Sequence, residues 1–242
     1  MSVLGDAGRT LRPPAGDRHG PLAPLLVLLT VVTGIVDALS YLKLGHVFVA
    51  NMTGNIIFLG FALAGAHGVS SSASLLALGS FLLGALAGGR LGALTGANRG
   101  HLLRAANAAQ VVLIAAALLV AILVRDPLAR EVRYTLIVLL ALAMGVQNAA
   151  AQRLAVPDLT TTVLTRTLTG LASEARVVGG PGSQLGRRIV AIGAMLLGAL
   201  IGGLLALRVA IAIPLAVALG LVLSSGVAVH FLSRSAGAWT RE

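Results

Sequence analysis

The 242-residue chain contains no cysteine, which excludes disulfide staples, thiol nucleophiles and thiolate metal sites and leaves the redox compartment unspecified. The spacings H-x-x-x-H and H-E-x-x-H are missing too, and no His, Asp and Glu stand at metal-ligand intervals. No nucleophile with a base or a metal trio is legible, so an enzyme is not expected, nor a cofactor. Charge is scarce at 11% of residues and mostly of one sign: 18 Lys and Arg against 8 Asp and Glu, a net charge of +10. In a soluble chain that balance suggests nucleic acid, yet these arginines stand between apolar runs with no interleaved aromatics. They read as flanks anchoring helices beside anionic lipid, and no nucleic-acid partner is expected.

What the chain does have is apolar surface. At 57% hydrophobic residues and a mean hydropathy of +0.95, it holds more than one soluble core of this length buries. Inside lipid every backbone N–H and C=O must be paired, which leaves helices or a closed barrel, and long apolar runs without alternation select helices. The expected fold class is all-α, a polytopic helical membrane protein whose first partner is the bilayer.

Residues 1–20 are polar, with Arg9, Arg12, Arg18, Pro13 and Pro14, and predict a disordered cytoplasmic tail. The next apolar run is too long for a signal-peptide core and lacks a small-residue cleavage site, so it is expected to stay in the protein. Apolar segments follow over 21–44, 47–66, 74–96, 103–124, 132–154, 188–207 and 209–232, ahead of a short basic tail, 234–242. Pro157-Asp158 and the threonines from Thr160 to Thr169 make one further segment too polar for a full span.

The chain repeats itself. Gly34 aligns with Gly145 and Asp37 with Asn148 at an offset of 111, Thr53 with Thr165 at 112, and Leu82–Gly89 with Leu196–Gly203 at 114. The two membrane repeats are placed at 21–126 and 127–233. If 47–66 and 157–169 both span, the chain has eight crossings and parallel halves. If both are broken or re-entrant, there are six crossings and the halves are inverted. The inverted arrangement puts Lys43, Arg125, Arg130, Arg133 and Arg208 outside and the other thirteen of the eighteen basic residues inside, a stronger positive-inside bias than eight spans give. Six full spans plus two broken helices is therefore the expectation, with eight full spans as its alternative.

The candidate chemistry clusters at the breaks. An ionised carboxylate facing lipid is costly, so Asp37 is expected to face a cavity or a partner, as a proton- or cation-linked group, or as a structural carboxylate paired with an arginine such as Arg90. Gly34, Asp37, Ala38 and Tyr41 share one helical face. Asn51, Thr53, Gly54 and Asn55 look like a helix start inside the membrane, where capping side chains and freed N–H groups favour a polar solute or anion. Thr162, Thr165 and Arg166 are placed to do the same from the second half. Gln147, Asn148 and Gln152, with Asn107 and Gln110, either line a path or glue helices together. Ser80, Gly84, Gly88, Gly92 and Gly96 recur every four residues, a packing ladder that would also serve a homo-oligomer interface.

The run G-I-V-D-A-L-S-Y-L-x-L-G-H-V-F-V-A-N-M-T-G-N closely resembles the signature of the YoaK-like family of bacterial membrane proteins, a domain of unknown function. G-V-Q-N-A-A-A followed by T-T-T-V-L-T-R-T-L-T looks like its second-half signature, and the likeness covers about residues 25–232. The resemblance implies a bacterial multi-pass inner-membrane protein and brings no substrate. Arg166 stands where the family often has Gly after the Thr, a departure from symmetry between the two segments. The expected function is transport of a small polar or charged solute through a site between the repeats, with Asp37 as the titrating group of a proton-coupled carrier or as a cation-binding group. On that view Asp37→Asn abolishes pH-dependent uptake and changes folding little. A non-transporting assembly or sensor subunit is the alternative.

Overall fold

The computed structural model describes residues 3–14, 16–123, 129–159, 161, 164–174, 184–233 and 238–240. In chain order its helices are α1 (Val3–Leu11), α2 (Leu22–Lys43), α3 (Met52–Leu63), α4 (Ser71–Thr95), α5 (Arg99–Leu123), α6 (Arg130–Leu154), α7 (Leu164–Ser173), α8 (Leu185–Arg208) and α9 (Ala212–Leu232). Among the described residues six helices are long and apolar enough to cross a membrane: α2, α4, α5, α6, α8 and α9. α3 has 12 residues and α7 has 10. At about 1.5 Å per residue these reach roughly 18 and 15 Å, well short of a hydrocarbon core about 30 Å thick. Each half is therefore three long helices with one short helix inserted after the first.

The halves are inverted. At one end, the Arg99 guanidinium at the start of α5 donates to the Arg18 carbonyl just before α2 and to the Leu154 carbonyl at the end of α6. Trp239 lies over Gly20 and Gly100 at the same end and brings the chain beyond α9 there. At the other end the hydroxyls of Ser72 and Tyr134 lie 2.7 Å apart and join the starts of α4 and α6. The matched first helices, α2 and α6, thus run in opposite directions, and the eight-span alternative gives way to six spans with two short helices. Arg99, His19, Arg153, Arg187 and Arg188 gather at one end, called here the basic end.

The seam between halves is built on glycine. α2 packs in parallel along α8, and α4 along α6, so each pairing joins a helix of one half to one of the other. Gly34 rests on the backbone of Met195 and Ala199, and Gly145 rests in the same way on Phe81 and Ala85. Gly84 meets the backbone of Leu142, Gly88 that of Val146; Gly198 meets Val31 and Gly202 meets Ile35. The two sets map onto each other with the offsets of 111 and 114 found in the sequence. Lipid tails give no hydrophobic drive for helix association, so dispersion between close backbones holds this seam, and a Cβ at these positions would strike main chain. Gly84, Gly88 and Gly92 of the ladder on α4 thereby pack against α6 of the same chain.

The N-terminal segment also departs from expectation. Residues 3–11 are helical rather than disordered, because α1 lies across the start of α8. Gly186 admits the backbone of Val3, Asp6 and Ala7, and the Asp6 carboxylate accepts from the Arg187 backbone N–H at 3.2 Å, capping an orphan donor in the first turn of α8.

Gly84→Val and Gly198→Val are expected to destabilise the protein by about 1–3 kcal/mol or more, by overpacking a backbone contact. Gly79→Ala and Gly89→Ala, where a Cβ meets nothing within 4 Å, are expected to be near neutral. Thermal unfolding in detergent checks both pairs; equal melting temperatures across the four would contradict the seam.

Candidate functional site

Asp37 sits six residues before the end of α2, about 9 Å inward of Lys43. Beyond α2 the chain turns through Gly45 at φ +105° and His46 at φ +57°, then runs back alongside α2 without helical structure until Met52. Backbone N–H groups in that returning segment have no helical acceptor, and lipid offers none. Asp37 supplies them: its Oδ1 accepts from Val49 N–H at 2.9 Å and Ala50 N–H at 2.8 Å, and its Oδ2 from Asn51 N–H at 3.2 Å and from the Asn51 side-chain amide. Asn55 completes the clamp, accepting from Phe48 N–H at 2.9 Å and donating to the Phe48 carbonyl at 2.6 Å. Gly54 is required because a Cβ there would run into the Phe48 ring. Tyr41 stacks on Phe48 with centroids 5.3 Å apart, and His46 meets Tyr41 edge-on.

The carboxylate does not pair with Arg90, which is exposed. Asn51, the residue preceding α3, makes no side-chain cap and turns its amide to Asp37 instead. The reversal is thus a folded module of Asp37, Asn51 and Asn55 whose polar atoms face the chain itself.

A second polar cluster lies deeper. Thr33, one helical turn inward of Asp37, donates to the Leu29 carbonyl and accepts from the Gln147 side-chain amide of α6 at 2.8 Å. Gln147 also reaches the Leu29 carbonyl, and its Oε1 accepts from Gln110 of α5 at 2.6 Å. One turn along α5, Asn107 donates to the Ser225 hydroxyl of α9 at 2.9 Å. All five side chains are at most 1% exposed. They bridge the four helices α2, α5, α6 and α9.

At the basic end, Arg188 in the first turn of α8 binds both flanks of α7, Asp158 at 3.1 Å before it and Glu174 at 2.9 Å after it, with Gly170 beneath the guanidinium. Arg99 holds His19 through a 3.1 Å contact to Nδ1. Burial, then the charges of Arg99 and Arg187, push the His19 imidazole below its ordinary value, which keeps Nδ1 free to accept.

The expected site residues are therefore distributed. Asp37, Asn51 and Asn55 come together, with Tyr41 against their loop. Gln147 belongs to the deeper cluster. Asn148, the partner of Asp37 in the repeat, is half-buried and donates to the Met144 carbonyl. Thr53 is exposed on α3, and Gln152, Thr165 and Arg166 are exposed on α6 and α7. Thr162 lies outside the described residues. Thr33, Ser225, Asp158, Glu174 and Arg188 were not singled out from sequence. Polar residues one turn apart in an apolar run, such as Asn107 and Gln110, were the available signal for the deeper cluster.

This is a multi-pass helical membrane protein of two inverted halves with its polar groups drawn into the interior. The model of the family described as "protein of unknown function (DUF1275)" matches residues 25–228, and the chain belongs to that family. It is similar to the UPF0700 transmembrane protein YoaK of Bacillus subtilis (strain 168), 37% identical over 150 residues, which cover 62% of this chain and 65% of that protein, less than two thirds of the relative. No solved structure matches.

Asp37→Asn keeps the shape but turns an amino group toward the two donors of Asn51, so a loss of roughly 2–4 kcal/mol of stability is expected. Thr53→Ala is expected to stay within about 0.5 kcal/mol. Thermal unfolding separates them, and an unaltered Asp37→Asn would contradict the clamp. The depressed His19 value fixes a sign as well: the unfolded chain takes up the proton first, so the contribution is present above pH 6.5 and lost as pH falls below it. The melting temperature is expected to drop between pH 7.5 and 5.5 more in wild type than in His19→Gln.

Proposed function

We propose that this protein moves a small polar or charged solute across the membrane through the interior where α2 and α5 of one half meet α6 and α9 of the other. The observation that carries the proposal is the fully buried line Thr33, Gln147, Gln110, Asn107 and Ser225 where α2, α5, α6 and α9 converge. Polar side chains in the interior of a membrane bundle are expensive, and apolar residues would pack the same positions without that cost. Inverted halves supply a way to use them, since rocking one half against the other around a central site opens it to each side in turn.

The short helices support a division of labour. α3 starts from a reversal fixed by four hydrogen bonds to one buried carboxylate, and serves as the static element. α7 is held through ion pairs to a single arginine at the basic end, and serves as the movable one, with Gln152, Thr165 and Arg166 at its mouth. Asp37 acts as the clamp and is not assigned proton coupling. We place the protein in the bacterial inner membrane with its basic end and N-terminus cytoplasmic, following the charge bias. The alternative, a non-transporting assembly or sensor subunit, takes no support from the α4 ladder, whose Gly84, Gly88 and Gly92 face α6 of the same chain.

Purified protein in liposomes is expected to pass at least one small polar solute in a radiotracer or stopped-flow panel. Gln147→Leu is expected to slow that flux at least tenfold while eluting as wild type on size exclusion. Flux that Gln147→Leu leaves unchanged, or none for any solute, would overturn the proposal.

A further inference from the structure

α1 is too short to cross a membrane, yet its nine residues present three distinct sides. One side packs on α8: Thr10 is buried, Asp6 and Ala7 are half-buried, and the backbone of Val3, Asp6 and Ala7 rests on Gly186. The second side is apolar. Leu4 and Leu11, seven residues apart and so on one helical face, are 84% and 50% exposed, and between them a Cβ at Gly8 would meet nothing within 4 Å. The third side is basic, with Arg12 and Arg9 both exposed. At 3.6 residues per turn the order around the helix is packing face, leucines, arginines, so the basic side borders the apolar stripe.

The depth of α1 follows from its support. α8 has 24 residues, about 36 Å of helix against a hydrocarbon core of roughly 30 Å, so its first turn, with Arg187 and Arg188, stands among lipid headgroups. Gly186 and Arg187 hold α1 at that level. The charge there is of one sign. Of the described acids at the basic end, Asp6 accepts from the Arg187 backbone, Asp17 accepts from the N–H groups of His19 and Gly20 at 2.7 and 3.0 Å, and Asp158 and Glu174 pair with Arg188. Arg9, Arg12 and Arg18 remain exposed. Leucines beside arginines at headgroup depth match a helix lying in the membrane surface, where apolar burial and attraction to anionic lipid act together.

We propose that α1 is an interfacial helix that docks on anionic phospholipid: Leu4 and Leu11 enter the acyl boundary of the leaflet at the basic end, while Arg9 and Arg12 hold lipid phosphates. The partner is a bilayer surface of net negative charge, and the proposal is independent of what the protein moves. Because the chain has no cysteine, a single one can be introduced and spin-labelled. Leu4→Cys reports the apolar stripe, and Leu86→Cys on α4, where Leu86 is 70% exposed, serves as the lipid-facing standard. Each labelled protein is placed in phosphatidylglycerol nanodiscs, and its accessibility to oxygen is compared with that to a water-soluble nickel chelate. Lipids retained from an equal mixture of phosphatidylglycerol and phosphatidylcholine are counted by native mass spectrometry.

The label at position 4 is expected to favour oxygen over the chelate, as the label at position 86 does. Wild type is expected to retain phosphatidylglycerol over phosphatidylcholine, and Arg9→Gln with Arg12→Gln to lower that preference at least threefold while eluting as wild type on size exclusion. If labelled Leu4→Cys fails to fold, Leu11→Cys reports the same face. A label that favours the chelate lies in water and overturns the proposal, as does one closed to both reagents, which would be covered by protein. A lipid-facing label with a lipid preference that the double variant leaves unchanged overturns the assignment of anionic lipid to α1.

Discussion

A backbone N–H inside a bilayer has to be bonded by the protein, and in this chain that requirement falls on one carboxylate. The segment between Gly45 and Met52 turns back into the bundle without helical structure, and Asp37 collects the N–H groups of Val49, Ala50 and Asn51 that lipid leaves stranded. Because the reversal holds, α3 starts below the surface and returns to the side it came from. The first half then has three crossings, an odd number, and the second half enters upside down. Inversion, the parallel pairing of α2 with α8 and of α4 with α6, and the meeting of α2 with α6 in the interior all descend from that one turn.

The two halves solve the same problem with different chemistry. Where the first uses a carboxylate and backbone donors, the second has Asn148 at the matched position and adds a buried arginine, Arg188, that grips Asp158 and Glu174 on either side of α7. Only the Asp158 pair is buried on both sides, the Glu174 side chain being 41% exposed, and desolvation or solvent screening offsets most of the attraction in each pair. They make a reasonable tie for an element that has to release. The glycine seam, by contrast, is nearly identical in the two halves, so the same close helix contact is made twice between them.

Much of this was legible in the residues. The apolar runs gave the six long helices, the Gly34–Gly145 and Leu82–Leu196 matches gave the repeat, and the uneven arginines favoured inversion. The break near Asn51–Asn55 was visible as a polar island. Its meaning was not, because Asp37 bonds to main-chain groups 12 to 14 residues away, and backbone donors carry no letter in a sequence. The glycine ladder showed that some helix comes close but not which one. The order of α1 was hidden for a similar reason: a polar segment ending in Pro13-Pro14 looks unstructured until Asp6 finds the start of α8.

The fold depends most directly on whether a buried carboxylate holds the reversal in place. Amide hydrogen exchange, measured residue by residue in nanodiscs, reads that directly. Val49, Ala50 and Asn51 are expected to exchange as slowly as amides in the middle of α2, and to become fast in Asp37→Ala while the middle of α2 stays protected. Fast exchange at these three amides in the wild-type protein would contradict the account.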